Sequence, residues 1–500
     1  MNKCNMFKTL LILAPIFMGT LLTTSGHSAQ VAKTKHPAYT NVIQQIKSSK
    51  TKKDPISPLH WDWKTIDIAK THFKKDFLFG VATSAHQVEG DSHNSWTDWE
   101  ESCDEQKKPR VQHVSGKACE HWKNYKEDIQ LIKKLGVKAY RFSIAWDKVE
   151  PSSGKFNQEA LKHYQDVCDE LIVNDIQPVI TLHHYTDPLW FFDRGGFEKE
   201  ENIKYFVRFC KTVFSTLHPR VHMWFTFNSP DGYAFKGYHQ GMVPPGKKDM
   251  NLACIVYKNL LEAHVQTYNA LKQLAGKTPT RIGILKNMIQ IDPWRNWNIL
   301  DIMGCSAAKK LTDDCFFNFF TTGVFNVKIP FKVTVRHTNN DAPASLDFIG
   351  LNYYSHMYMS NFKIIKDPQE IATQNSNYVV YPEGLYRAIK TISDELDCQG
   401  KKNIRKNILP IYVTENGIAT DDDNLRTLFT QRYLYALSEA IEDGYDVRGY
   451  IHWSLMDNYE WGSYDKHYGI YAVDFKTQKR TIKPGARYFV DLVKYTYQIA

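Results

Sequence analysis

The chain has 500 residues, of which 43% are hydrophobic and 13% aromatic, the composition of an ordinary globular protein. Its formal net charge of +9 comes mainly from residues 1–60, which hold eight lysines and one aspartate. The remainder is near neutral, so no basic face for nucleic acid is expected, and a single barrel-type domain with long loops can account for the length.

The N-terminal segment, residues 1–29, has the layout of a secretory signal peptide. Two lysines precede an apolar run at 9–22, and small or polar residues follow it and end in SGHSA. The run is shorter than the roughly 20 residues that span a membrane, although a retained anchor is the alternative. The sequence therefore predicts export to a secreted or periplasmic location, with cleavage near Gly26 or after Ala29.

The segment 30–71 is rich in lysine and predicts a solvated tether, and 72–500 is predicted to be the folded domain. Export would place its cysteines in an oxidising compartment. Cys103 and Cys119 share one long loop region and are the first candidate for a disulfide, while buried free thiols are expected for most of the others. No CxxC motif occurs and no spacing resembles a zinc site, so no metal is predicted.

Eight short apolar segments rich in β-forming residues alternate with helical stretches along the folded domain. Two of the helical stretches, 124–135 and 157–173, are amphipathic. Near-continuous apolar strands that alternate with helices predict a single closed (β/α)8 TIM barrel of the α/β class. A doubly wound open sheet is the alternative, but no GxGxxG motif follows the first strand. The predicted strands are 77–82, 138–142, 177–182, 222–227, 281–285, 346–351, 409–413 and 448–452.

Polar and aromatic residues lie in or directly after most of these strands. In a barrel of this kind the carboxyl ends of the strands meet at one face, and chemistry collects there. The residues are Gln87, Glu89, Arg141, His183, His184, Tyr185, Asn228, Ser229, Asn352, Tyr353, Tyr354, Glu415, Asn416 and Trp453. Together they predict a polar pocket ringed by aromatic side chains, which suits a sugar.

Seven motifs, in this order, make residues 72–495 similar to glycoside hydrolase family 1, which includes β-glucosidases, β-galactosidases and myrosinases. They read FLFGVATSAHQVEG, ACEHWKNYKEDIQLIKKLGVKAYRFSIAW, TLHHYTDPLWF, TFNSPDGYAFKGYHQGMVPPG, LDFIGLNYYS, IYVTENG, and HWSLMDNYEW followed by YGIYAVDF. The resemblance implies cleavage of β-linked glycosides with retention of configuration, by two carboxylates about 5–5.5 Å apart. It implies a small-molecule β-glycoside or oligosaccharide as the partner, and no metal or organic cofactor.

The resemblance also assigns residues to roles. Glu415, in TENG, matches the nucleophile, and Arg141 and Tyr354 match the positions that keep it ionised. Trp453 matches the ring platform beneath the sugar, whose apolar C–H face suits an indole. The remaining sugar-binding positions are matched by Gln87, His184, Asn228, Asn352, Glu460 and Trp461.

Three further positions refine this assignment. Tyr185 stands where many members have Trp or Phe, and His183 is interpreted as a structural neighbour. Members that act on 6-phosphorylated sugars usually have a small hydroxyl residue at the position of Glu460, together with a Lys and a Tyr further along. This chain has Lys466 and Tyr468, but a carboxylate at 460 would repel a phosphate, so an unphosphorylated sugar is predicted.

Ser229 departs from the family pattern, because the usual motif TFNEP, with Glu as the acid/base, here reads TFNSP. Loss of a general acid/base costs about 10²- to 10⁴-fold in rate. Three hypotheses remain for the wild-type chain: cleavage of glycosides whose aglycone leaves readily, as in the myrosinases; a transferase or slow hydrolase; or a non-catalytic sugar-binding or receptor-like protein. Deliberate inactivation is a fourth explanation, and Asp231, two residues on, is expected to point away from the site.

Overall fold

The computed structural model describes residues 58–329, 333–375, 378–396 and 409–498. The predicted signal peptide and most of the predicted tether lie outside these residues, so the domain boundaries stay predictions. Within the described ranges, no helix combines the length and the apolar character needed to cross a membrane.

Eight parallel strands close into a barrel, which confirms the predicted (β/α)8 fold and excludes the open sheet. Each barrel strand coincides with a predicted one to within three residues, and each pairs with its neighbours along the chain in the order β1-β8-β7-β6-β5-β4-β3-β2. The strands are β1 (Leu78–Ala82), β2 (Ala139–Ser143), β3 (Gln177–His183), β4 (Met223–Asn228), β5 (Arg281–Asn287), β6 (Phe348–Asn352), β7 (Ile411–Asn416) and β8 (Val447–Trp453).

Helices cover the outside of the barrel and bury one apolar face against it. The helix His121–Leu135 buries Ile129, Ile132 and Leu135, which recur at helical spacing, and it ends at Gly136, whose φ of 80° suits a residue without a side chain. The helices are Ala85–Val88, Ser95–Glu101, His121–Leu135, Trp146–Val149, Gln158–Val173, Leu189–Phe192, Ile203–Leu217, Pro230–Phe235, Met250–Ala275, Ile299–Lys309, Cys315–Thr322, Glu383–Leu396, Asp423–Glu442 and Arg487–Tyr497.

Several smaller elements, which the sequence did not predict, lie outside the barrel. Gln290–Pro293, His356–Ser360 and Lys363–Ile365 form a three-stranded sheet. Two antiparallel pairs are formed by Val324–Ile329 with Val333–Thr338 and by Tyr471–Asp474 with Lys479–Ile482. Two π-helical turns span Lys236–Gln240 and Lys310–Asp314. Short 3-10 turns span Ile68–Lys70, Gly196–Glu198, Glu200–Asn202, Ala342–Ala344 and Pro484–Ala486.

The barrel interior is filled by a layer of apolar side chains, and polar side chains stand one step beyond it. Successive residues of a strand point to opposite faces, so residues two apart share a face. On β2, Ala139 belongs to this apolar layer, and Arg141 therefore points into the same interior nearer the carboxyl end. The layer comprises Ala139, Val179, Met223, Phe225, Leu285, Phe348 and Tyr412. This apolar layer lies next to the polar site, on the side of the amino ends of the strands.

The predicted disulfide between Cys103 and Cys119 is wrong. Both thiols are free, Cys103 being exposed and Cys119 fully buried. The Cys119 thiol donates instead to the backbone carbonyl of Asp457, with its Sγ 3.3 Å from the oxygen. All seven described cysteines are free, so the barrel is held by packing and hydrogen bonds rather than by covalent links within the described ranges.

Candidate active site

The predicted strand-end residues converge on one cavity of about 380 Å³ at the carboxyl ends of the barrel strands. Nine of the eleven predicted site residues line it: His184, Asn228, Ser229, Asn352, Tyr354, Glu415, Trp453, Glu460 and Trp461. The other two, Gln87 and Arg141, are fully buried behind this wall and bond to its members. The structure therefore brings the predicted residues together at one place, and the roles assigned to them stay predictions.

The Glu415 carboxylate is held at both oxygens. Oε1 accepts a hydrogen bond from the Arg141 guanidinium at 2.7 Å, and Oε2 accepts one from the Tyr354 hydroxyl at 2.8 Å. The side chain lines the cavity and is only 5% exposed. A carboxylate fixed in this way has one orientation toward the cavity, as a nucleophile requires.

Arg141 connects four barrel strands through its five donor hydrogens. Besides Glu415 on β7, it donates to the Thr181 hydroxyl on β3 at 2.9 Å, to the Thr414 carbonyl at 3.1 Å and to Asn228 Oδ1 on β4 at 3.0 Å. The guanidinium is fully buried. Because all of these bonds are short and planar, the positions of Glu415 and Asn228 are set relative to each other.

Ser229 occupies a strained position beside this network. It is the residue before the helix Pro230–Phe235 and has φ 44° and ψ 66°, a left-handed conformation that costs energy for a residue with a Cβ. Its hydroxyl accepts a hydrogen bond from Asn352 at 3.1 Å and is hydrogen bonded to the Tyr185 hydroxyl. The position faces the cavity, but it presents a neutral hydroxyl where a carboxylic acid would be needed.

Gln87 and Glu460 form a polar side of the cavity. Glu460 Oε2 accepts from Gln87 at 3.0 Å and from the Trp453 indole at 3.4 Å. Burial raises the pKa of Glu460 to about 7, against the lowering charge of Lys466. A sugar's vicinal hydroxyls match paired amide and carboxylate groups, since each hydroxyl both donates and accepts.

His184 links this side to the Arg141 network. Its Nε2 lies 2.9 Å from the Asn228 amide nitrogen, which donates to it, so the ring proton belongs on Nδ1. Burial holds the pKa of His184 well below its usual range, and the nearby charge of Arg141 lowers it further. The ring is therefore neutral, and its buried Nδ1 has no partner within the described ranges.

Aromatic rings close the cavity around these polar groups. The Trp461 indole stacks on the imidazoles of His184 and His86, with ring centroids 5.9 Å apart in each case. The Trp453 indole also stacks on the His184 imidazole, with ring centroids 5.8 Å apart. Indole faces of this kind suit the apolar C–H face of a pyranose ring.

Two residues near the strand ends play structural roles. His183, as predicted, is buried behind the cavity wall, and its Nε2 lies 3.0 Å from an Asp187 carboxylate oxygen. Glu89 is also buried and accepts a hydrogen bond from the Tyr164 hydroxyl at 2.8 Å. Neither lines the cavity, because each points to the other face of its segment.

Asp231 is one of the residues that line the cavity, but its carboxylate is buried. The buried Lys286 ammonium, 2.8 Å from Oδ2, sets its orientation. The same ammonium lies 3.0 Å from Asp313, so one cation on β5 bridges two carboxylates. The other Asp231 oxygen, Oδ1, is buried without a partner in the described part of the chain.

Sequence reasoning missed the part of the wall that lies outside the barrel. Lys236, in the π-helical turn after Ser229, lines the cavity, as do Lys363 and Ile364 of the three-stranded sheet. Tyr378 stacks on Tyr354, with ring centroids 5.5 Å apart. No strand end marks these positions in the sequence, although a lysine seven residues after Ser229 on one helical face was a usable signal.

A barrel with a fixed carboxylate, a buried arginine and a ring of hydroxyl-binding and indole groups at its carboxyl face defines a sugar-cleaving class of protein. Comparison with known sequences places the chain more closely. The model of "Glycosyl hydrolase family 1" matches residues 69–497. The chain belongs to this family.

Individual relatives align with most of this chain. A 1,4-beta-D-glucan glucohydrolase of Thermotoga neapolitana is 30% identical over 84% of this chain and 98% of its own. A 6-phospho-beta-galactosidase of Clostridium acetobutylicum is 31% identical over 84% of this chain and 96% of its own. The structure of a beta-glucosidase from Thermotoga maritima in complex with glucoimidazole superposes with a TM-score of 0.76, at 28% identity, over 85% of this chain and 99% of that one.

Proposed function

We propose that the chain is a retaining β-glycosidase that acts on unphosphorylated β-glucosides or related β-glycosides whose aglycone leaves without a proton. The observation that carries this proposal is the Glu415 carboxylate, oriented by Arg141 and Tyr354 in a sugar-sized cavity, beside a Ser229 that has no acidic group. The Glu415 carboxylate serves the covalent step. The Ser229 hydroxyl cannot protonate a leaving group, so only aglycones that leave as anions are cleaved.

In the first step, Glu415 attacks the anomeric carbon of the bound glycoside. A bond forms between the carboxylate oxygen and that carbon, and the bond to the aglycone oxygen or sulfur breaks. The aglycone leaves with the electron pair, as an anion, because the Ser229 hydroxyl is too weak an acid to protonate it. The substrates that this site accepts are therefore glycosides whose free aglycone has a hydroxyl or thiol of low pKa.

In the second step, an external nucleophile releases the sugar from Glu415. Water attacks the anomeric carbon, the carboxylate leaves, and the water proton passes to solvent because no carboxylate stands at position 229. An anionic nucleophile needs no base and is expected to react faster than water. Transfer to such acceptors is part of the same proposal.

The identity of the sugar rests on Glu460. Its carboxyl group lies in the wall where Gln87 and Trp453 donate to it. Above its pKa of about 7 this group is negatively charged, so a phosphate at this place would meet a like charge. Lys466 and Tyr468 also line the cavity, yet Lys466 lies beside Glu460 and donates to its backbone carbonyl at 3.4 Å. We therefore infer an unphosphorylated glycone.

We also infer export of the chain. The support is the sequence of residues 1–29, in which two lysines precede an apolar run and small or polar residues end the segment. N-terminal sequencing of the mature protein is the direct test, and a mature chain that still begins at Met1 would overturn this inference.

The first experiment measures turnover of an aryl β-glucoside with a good leaving group, with and without azide. We expect slow turnover that azide accelerates, with β-glycosyl azide as the product, because azide attacks the glycosyl-enzyme without a base. The matched variant Glu415→Gln keeps the shape of the side chain, removes the nucleophile, and is expected to lose activity under both conditions.

The alternative is a sugar-binding protein without catalysis, which the neutral Ser229 favours. In that case neither condition gives turnover, while calorimetry still detects binding of the sugar to the wild-type chain. That combination would contradict the enzymatic proposal and leave the cavity as a recognition site.

A further inference from the structure

The cavity has a second wall beyond the sugar-binding network, built from elements outside the barrel. One part is the π-helical turn Lys236–Gln240 and the loop that follows it, including Met242. The other part is the three-stranded sheet, with Ile291 and Ile364 facing the cavity. Since the strand ends hold the sugar, this second wall faces the aglycone.

Lys236 lines the same cavity as Ser229. It begins the π-helical turn that follows the helix Pro230–Phe235, and Ser229 is the residue before that helix. The Lys236 side chain is therefore part of the wall that a ligand beside Ser229 would meet.

Three carboxylates of the cavity already have cationic partners. Asp231 and Asp313 share the Lys286 ammonium, and Glu415 pairs with Arg141. Lys236 makes no ion pair within 4.0 Å in the described part of the chain, and it is half-buried. A desolvated ammonium without a counter-ion is costly, so this position favours a bound anion.

Burial supports the same conclusion. It lowers the pKa of Lys236, while the more distant carboxylates of Asp231, Glu460 and Glu415 raise it. A second lysine, Lys363, is exposed at the rim of the same wall and adds positive charge where a ligand would enter. Apolar side chains line the same cavity and provide contact for a ring.

We propose that the second wall binds an aglycone with an apolar body and an anionic substituent, such as an aryl carboxylate, whose charge pairs with Lys236. The glycoside substrates would thus be acidic aryl glycosides. This inference rests on the proposed function, because an aglycone site presupposes a glycoside. It specifies which good leaving groups the chain selects.

The test compares two substrates that differ in one charge. They are a nitrophenyl β-glucoside with a ring carboxylate and its methyl ester, each assayed for kcat/KM in the presence of azide. Wild-type protein is expected to prefer the acid by about tenfold, the scale of one hydrogen bond to a charged group. Lys236→Gln is expected to bring the ratio of the two kcat/KM values close to one.

The control is Lys211→Gln, an exposed lysine on the helix Ile203–Leu217 with no ion pair in the described ranges. It should keep the wild-type ratio. If Lys236→Gln also keeps it, or if the wild-type protein does not prefer the acid, the inference is wrong.

A binding measurement separates this inference from the proposed function. Calorimetry of the free nitrophenol carboxylate and of its ester, on wild-type protein and Lys236→Gln, needs no turnover. Binding of the acid that weakens about tenfold in the variant supports the anion site even if no glycoside is cleaved, in which case only the proposed function fails. Cleavage of the ester without any preference for the acid, in rate or in binding, retains the function and overturns the inference.

Discussion

At the scale of single residues, the proposed function depends on Ser229. Arg141 and Tyr354 hold the Glu415 carboxylate, while the position beside Asn228 has a neutral hydroxyl. In the proposed reaction, protonation of the leaving oxygen is therefore the step for which position 229 has no acid.

Replacement of this residue by a carboxylic acid should restore that step. We expect Ser229→Glu to raise the turnover of an alkyl β-glucoside by about 10²- to 10⁴-fold, because the alkoxide leaving group depends on protonation. The same change should alter kcat/KM for an activated aryl glucoside far less, because kcat/KM reports the first step and that aglycone leaves without a proton. Steady-state kinetics on both substrates measure the difference.

The matched control is Ser229→Gln, which has the same length as Glu but cannot transfer a proton. It should leave the alkyl glucoside as poor a substrate as it is for the wild-type protein. Equal gains from Glu and Gln would show that side-chain size, not acidity, limits the reaction.

The sequence allowed the prediction of those site residues that follow barrel strands. Glu415, Asn228 and Asn352 were identifiable because a strand end fixes the direction of the residue that follows it. Lys236 and Asp231 were not, because their orientation depends on the cation of Lys286 and on a π-helical turn, both products of tertiary packing. No local pattern of residues encodes such an orientation.

At the scale of elements, Lys286 fastens two elements outside the barrel to one of its strands. It stands on β5, is fully buried, and pairs with Asp231 on the helix Pro230–Phe235 and Asp313 on the π-helical turn Lys310–Asp314. These two carboxylates raise the pKa of Lys286, against the effect of burial. The ammonium thus holds two elements against one strand.

Removal of that cation should destabilise the fold. We expect Lys286→Met to lower the free energy of unfolding by about 3–5 kcal/mol, because the buried Asp231 and the half-buried Asp313 lose their counter-ion. Urea unfolding followed by circular dichroism measures the change. Combining it with Asp231→Asn and Asp313→Asn should recover part of the loss, since the uncompensated charges are then gone.

An exposed ion pair offers the matched comparison. Lys390 and Asp394 lie one turn apart on the helix Glu383–Leu396, with 2.8 Å between the ammonium and the carboxylate. Lys390→Met should cost less than about 1 kcal/mol, because solvent screens such pairs. A similar cost for both lysines would contradict the bridging role of Lys286.

The barrel strands were predictable as elements and the smaller sheets were not. Each barrel strand is buried on both faces, so its apolar run is nearly continuous and stands out in the sequence. The strand Lys363–Ile365 has three residues, and the strand Lys479–Ile482 is mostly polar. Their pairing depends on partners distant in the chain, which propensity does not reveal.

At the scale of the whole molecule, buried carboxyl groups make stability depend on pH. Burial raises the pKa of Glu89 to about 7, against the lowering charge of Lys148. Between the ordinary pKa of Glu and about 7, the folded chain binds more protons at this site than the unfolded chain. The contribution of Glu89 to the free energy of unfolding therefore falls as the pH rises through this range.

Glu89→Gln removes this titration and keeps the shape. We expect its free energy of unfolding to rise relative to that of the wild-type chain by about 2–3 kcal/mol between about pH 5 and about pH 8. Urea unfolding at the two pH values measures the effect. Glu101→Gln, at an exposed position, should show no such change, and an equal response of both variants would contradict the assignment.

The hydrogen bonds that hold Glu415 affect the relative rates of the two steps of the proposed reaction. Arg141 and Tyr354 hold the nucleophile from β2 and from the segment after β6, and neither bond involves Ser229. In the proposed reaction, the first half can therefore proceed with a good leaving group while the second is slowed. A sugar attached to Glu415 would persist between the two, and its lifetime, rather than the affinity of the cavity, would decide whether water or a scarcer acceptor receives it.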